Sequence, residues 1–211
     1  MTFDGASLTA EPIRDDAEYN GLRVRFRALL AKARIQMQID IGFGNAIEPR
    51  ATEVRYPTLL DAPAPRIRAY PHEAVVAEKL HAMVVLGERN SRYKDFYDLH
   101  VLARQFAFDG VRLTGAIAAT FERRGTPIGA AIPTALAPRF YADAGRAEQW
   151  RAYLIRNSLP GAPGDFTAVG EVLQAFLGPA WSALAAGAAF QNVWPAGGPW
   201  PSAEATEGST S

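Results

Sequence analysis

The sequence predicts an α+β protein in which a β-rich N-terminal part precedes a helical C-terminal part. Three observations predict it. Apolar and polar residues alternate with period two over residues 22–41, prolines punctuate residues 45–70, and apolar residues recur at helical spacing from Pro71 onward. The change falls near residues 62–72, which divides the chain into a β-rich part over 1–62, a helical part over 63–185 and a flexible tail over 186–211.

The elements follow in order. The opening MTFDGASLTAEPIRDD lacks the basic-then-apolar pattern of a signal sequence. Residues 22–41 read as a β-hairpin. Leu22, Val24, Phe26, Ala28 and Leu30 alternate with Arg23, Arg25 and Arg27. After a turn near Lys32, Ile35, Met37, Ile39 and Ile41 alternate with Gln36, Gln38 and Asp40. Such alternation puts one face on a core and the other toward water, with Asp40 on the same kind of face as the arginines. Gly42 and Gly44 end the second strand. Pro49, Pro57, Pro63 and Pro65 make residues 45–70 loops and edge strands, with extended pieces at Glu53–Tyr56 and Arg66–Tyr70. Pro71 suits a helix start and Gly87 its end. Asn90 or Ser91 suits the cap of a second helix. Further helices are expected near 110–124, 145–157 and 167–184. Beyond residue 185 the abundance of Ala, Gly, Pro, Ser, Thr and Glu reads as a tail.

Composition narrows the function classes. The chain has 211 residues, enough for one ordinary domain or two small ones, and its apolar fraction of 48% is that of a globular protein. Its 22 basic and 22 acidic side chains cancel, so the overall charge points to neither nucleic acid nor membrane. No cysteine is present, which excludes disulfides, thiolate chemistry and zinc–cysteine sites and is compatible with the cytosol. No apolar run is long enough to span a membrane.

The segment EAVVAEKLHAMVVLGERNSRYKDFYDLHVLA, residues 73–103, is the most informative. At about 100° per residue, Val76, Leu80, Met83 and Leu86 share a stripe that also contains Lys79. Phe96, Leu99, Leu102, Ala103 and Phe106 share a stripe that contains Asp95, with Asp98 at its edge. Charges aimed inward are costly unless paired or used. Lys79 either snorkels to water, pairs with Asp95 as a structural ion pair, or belongs to a site. Glu78 and His81 fall on the polar face of the first helix.

AEKLHA followed by NSRYKDFYDLHVLA resembles the paired C-terminal motifs of the AbiEii/AbiGii-type nucleotidyltransferase toxin family, an E-K-L element and then an R-x-K-D-x-x-D-L element on the next helix. The likeness extends more weakly over about residues 1–155. It implies that residues 1–62 are the remainder of a nucleotidyltransferase-like domain with a partial mixed β-sheet, and that residues 63–185 form its helical C-terminal domain. It also implies a toxin of a toxin–antitoxin or phage-defence system, cytoplasmic and paired with a cognate antitoxin. Such a toxin would use an NTP and Mg²⁺ to add nucleotides to RNA, tRNA in particular. By carry-over, Asp40 would be a catalytic, metal-binding carboxylate, and Lys79 would contact nucleotide phosphates as a point charge. Asp95 would orient Lys79 or act as a base, Asp98 would support it, and Arg92 and Lys94 would meet phosphates.

One departure from the family pattern stands out. No Asp-x-Asp occurs anywhere, Gly-Ser occurs only at Gly208–Ser209, and Asp15–Asp16 are adjacent, so on a strand they would point to opposite faces. The expectation is that the family's first strand–helix–strand unit lies upstream of Met1 and that this chain is weak or inactive. Asp40 would otherwise simply pair with Arg23, Arg25 or Arg27. The alternative class is a non-catalytic interaction module that binds an antitoxin or nucleic acid, and a third reading is a decaying gene product.

Other chemistries fit poorly. His72, His81 and His100 lack metal-ligand spacing, with His81 and His100 reading as surface helix residues. No nucleophile elbow, phosphate-binding loop or dinucleotide fingerprint is present. Arg23, Arg25, Arg27, Lys32 and Arg34 form a basic row that suits either RNA or a solvated strand face.

Overall fold

Alternation in the N-terminal part builds an antiparallel sheet. The computed structural model describes residues 1–13, 21–43, 47–159 and 161–201. Strands β1 (Thr2–Ile13), β2 (Gly21–Leu30) and β3 (Ala33–Gly42) lie in the order β1-β2-β3, all antiparallel, with Ala31 at φ 51° in the turn before β3. The hairpin register pairs Val24 with Ile39 and Arg23 with Asp40, so apolar residues share one face and charged residues the other. Every strand pairing among the described residues is antiparallel, whereas the resemblance implies a mixed sheet. Gly44, Asp15 and Asp16 lie outside the described residues.

Strand β1 goes beyond the sequence expectation. Its register jumps between Asp4 and Thr9, and Ser7 fills the bulge by donating to Asp4 O and accepting from the Arg27 N–H. The apolar face of the sheet is not packed as alternation predicts. Ala28 is buried, but Phe3, Ile35, Ile39 and Ile41 are exposed, Ile39 by 49%. Arginines on the opposite face meet acids. Arg27 pairs with Asp4 at 3.2 Å, Arg25 with Glu11, and Arg23 with Asp40. Arg23, Arg25 and Arg27 of the basic row are thus interleaved with carboxylates on a solvated face.

Contacts divide the chain into two units, Met1–Ala46 and Ile47–Ser211. In the second unit the extended pieces pair as β4 (Thr52–Arg55) and β5 (Arg66–Ala69). Helix α1 (His72–Leu86) starts after Pro71 and stops at Gly87, whose φ of 50° suits glycine. A short 3₁₀ turn leads to α2 (Tyr93–Gln105). Its cap residue is Arg92, one beyond the expected position, and Asn90 Oδ1 accepts the Arg92 N–H. Strand β6 (Phe108–Asp109) precedes α3 (Gly110–Arg123), and α4 (Pro138–Tyr141) precedes α5 (Ala144–Arg156) and α6 (Phe166–Ala185). Asp109, Asp143 and Asp165 cap α3, α5 and α6 by accepting from first-turn N–H groups.

The core forms around α6. Phe166, Val169, Leu173, Phe176 and Leu177 are fully buried and meet α2, α3, α4 and α5. Burial of each such side chain contributes about 1.5–3 kcal/mol. Gly170 lies so close to Tyr141 that a Cβ would fall 2.4 Å from its ring. The segment after α6 is not a loose tail over its described length. Strand β7 (Val193–Trp194) pairs with β6, and Trp194 and Trp200 bury their rings against Phe176. Their indole N–H groups donate to Ala103 O at 2.7 Å and Phe176 O at 2.9 Å. Large aromatic areas with satisfied N–H groups outweigh the loop-like composition around them. Residues 202–211, including Gly208–Ser209, lie outside the described residues.

Candidate functional site

Apolar stripes bring the inward charges together. Val76, Leu80 and Met83 of α1 and Phe96, Leu99 and Ala103 of α2 are fully buried, and between them Lys79 faces α2. Lys79 Nζ donates to Asp95 Oδ1 at 2.9 Å and to Asp98 Oδ2 at 2.6 Å. The side chain of Asp95 is 2% exposed, that of Lys79 18% and that of Asp98 44%, so the cluster is dry at Asp95 and wet at Asp98. Arg92 Nε lies 2.8 Å from Asp95 Oδ2, but Oδ2 receives no aligned N–H and is buried without a hydrogen bond. The contact is therefore one of charge rather than a directed bond. The Asn90 side chain, also buried, leaves its Nδ2 unpartnered nearby in sequence.

Burial alone would lower the Lys79 pKa, but the hydrogen bonds it donates to Asp98 and Asp95 more than offset it and hold the ammonium above its ordinary value. Lys79 is thus a fixed cation at neutral pH, suited to meeting an anion rather than to taking a proton. Asp95, charge-paired and shielded, accepts from it at 2.9 Å. The sequence stripe that singles out Asp95 over Asp98 for the inward position agrees with their burial.

Asp40 stands in the other unit. Arg23 Nε and a terminal nitrogen each donate to its carboxylate at 2.8 Å, and Gln38 Nε2 donates at 3.3 Å. The Arg23 guanidinium holds its carboxyl below the ordinary range. Among the described residues no three acidic or imidazole groups gather as a metal site, and a carboxylate filled by guanidinium is poorly disposed to a cation. The described residues therefore do not fit a divalent ion.

Two histidines depart from the surface reading. His81 is buried, 2.8 Å from Thr126 Oγ1 and edge-on to Phe121. His100 is buried too, and burial lowers its pKa. For His81 the cause is that α1 packs against both α2 and α3, so its polar face meets protein instead of water. Glu78, on that face, pairs with Arg124.

Residues that sequence reasoning missed come from α5. Gln149, Tyr153 and Arg156 lie on one face of α5 and form a cleft of about 460 Å³ with Arg92, Tyr93 and Lys94. Tyr93 Oη donates to Gln149 Oε1 at 2.9 Å across it. Their spacing on α5 marks a common face, but no local pattern reveals that this face meets the start of α2.

A family model for the nucleotidyl transferase AbiEii toxin of type IV toxin–antitoxin systems matches residues 2–183. The chain belongs to the AbiEii toxin family. It is accordingly a nucleotidyltransferase-like toxin of a toxin–antitoxin pair, which implies an antitoxin counterpart. AbiEii nucleotidyltransferases generally use an NTP and a divalent metal. No curated protein and no solved structure matches the chain. No helix of the described residues is long and apolar enough to cross a membrane.

Proposed function

We propose that this AbiEii chain handles nucleotidyl transfer from an NTP to an RNA acceptor, tRNA in particular, as the cytoplasmic toxin of a phage-defence pair with its cognate antitoxin. The observation that carries the reading is the Lys79–Asp95–Asp98 cluster, whose residues lie in the two segments that resemble the family's paired motifs. In the reaction an acceptor hydroxyl oxygen attacks the α-phosphorus, its proton passes to water, and the bond to pyrophosphate breaks. Lys79 balances negative charge on the phosphates, while Asp95 holds the ammonium in place and Asp98 supports it from the exposed side. Arg92 and Lys94 add positive charge beside the cluster. Burial of Asp95 supports the orienting role over that of a base. Mg²⁺ is the ion the family implies. Asp40 is the single carboxylate carried over to it, and would first have to release Arg23.

The chain contains no Asp-x-Asp, so we propose that alone it transfers weakly or not at all. The test combines total tRNA, each labelled NTP and Mg²⁺ with this chain, with any longer in-frame product that supplies the motif, and with Lys79→Met variants. The expected result is labelling by the longer product that the variant loses, and near-background labelling by this chain. Absence of labelling by a folded longer product would remove the RNA-transfer reading and favour a binding module. Strong labelling by the chain alone would remove the claim of weakness.

A further inference from the structure

The cleft between the start of α2 and α5 has a chemistry of its own. Three cations line it, Arg92, Lys94 and Arg156, and no carboxylate does, in a chain whose charges cancel overall. Lys94 and Arg156 form no ion pair among the described residues. All three cations are exposed, whereas Tyr153 between them is half-buried. Its ring stacks at 26° and 5.9 Å on Trp150, which is fully buried, so the Tyr153 ring is held in place from behind. The cleft adjoins the Lys79 cluster, because Arg92 of its lining lies 2.8 Å from Asp95.

We propose that this cleft is a subsite for single-stranded RNA, in which Arg92, Lys94 and Arg156 meet backbone phosphates and Tyr153 stacks on a base. The inference rests on the nucleotidyltransferase reading for its placement beside Lys79 and adds the α5 wall to it. A track of exposed cations with a rigid aromatic platform is how proteins hold single strands without reading sequence. A free triphosphate fits less well. Its charge is concentrated and is bound together with a metal ion, and the cleft offers no carboxylate to hold one. Gln149, already accepting from Tyr93, closes one side of the cleft rather than contributing charge.

The test is fluorescence anisotropy of a labelled single-stranded oligoribonucleotide of about eight nucleotides, with unlabelled NTPs as competitors. The proteins are the full chain and its Arg156→Glu, Tyr153→Ala and Tyr153→Phe variants, each checked by thermal melting. Three phosphate contacts predict a log–log salt slope of about −2. Arg156→Glu is expected to weaken binding about tenfold and flatten the slope. Tyr153→Ala is expected to weaken it about tenfold, and Tyr153→Phe to retain it, since stacking survives loss of the hydroxyl. Folded Arg156→Glu and Tyr153→Ala proteins that bind like the parent would overturn the proposal, as would a parent chain that binds NTP but not the oligomer. If α5 variants leave RNA binding intact while Lys79-dependent labelling persists, the cleft fails and the nucleotidyltransferase reading stands. If RNA binding depends on α5 but the longer product labels nothing, the cleft stands and the transfer reading fails.

Discussion

Lys79 is held between a dry carboxylate and a wet one, and this asymmetry is what substitution and pH can probe. Its folded pKa lies above the ordinary lysine value of 10.5. The cluster's contribution to stability is therefore fully present below that value and is lost as pH rises through the folded pKa. Chemical denaturation of the parent should show stability falling on the alkaline side of pH 10.5, and Lys79→Met should flatten that limb. Asp95→Ala removes the shielded partner and leaves Lys79 with Asp98 alone, and is expected to lower stability clearly in urea unfolding. Asp98→Ala, at the exposed end, should cost much less. For Asp40 the expected observable is an NMR titration midpoint below the ordinary 3.8, moving up when Arg23 becomes Gln. The inward pair was legible because one helical stripe suffices to place it. The burial of His81 was not legible, because a wheel drawn for a single helix cannot show that α1 is covered on two sides.

At the scale of elements, the segment after α6 is structural through its tryptophans. Trp194→Ala removes a buried ring and the hydrogen bond to Ala103 O, and should cost about 3–5 kcal/mol in stability. Gly170 within α6 makes the opposite test of helix propensity. Alanine there would gain about 1 kcal/mol in an exposed helix, yet a Cβ 2.4 Å from the Tyr141 ring should make Gly170→Ala destabilising in thermal melts. The hairpin and the long helices stood out in the sequence because their periods are unbroken. Strand β1 did not, because the jump between Asp4 and Thr9 interrupts its alternation. The ordering of residues 187–201 was hidden by Ala, Gly and Pro, although Trp194 and Trp200 were the signal that could have revealed it.

For the whole molecule, the α+β class follows from two periodicities meeting near residue 70, while the packing of the sheet does not follow from either. Alternation shows that a face is apolar, not that something covers it. Phe3, Ile35, Ile39 and Ile41 are exposed on that face, so the chain is expected to self-associate at micromolar concentration in light scattering, and Ile39→Lys should reduce this without lowering the melting temperature. The functional claim rests on the second unit, where Lys79 is either a nucleotide contact or a structural ion-pair partner. The direct measurement is the affinity of the chain for each NTP with Mg²⁺, in the parent and in folded Lys79→Met. The account predicts binding by the parent that the variant weakens by about tenfold or more, the loss of a charge-assisted contact worth about 1.5–3 kcal/mol. Equal affinity in the two proteins would contradict it and make Lys79, Asp95 and Asp98 a structural ion-pair network.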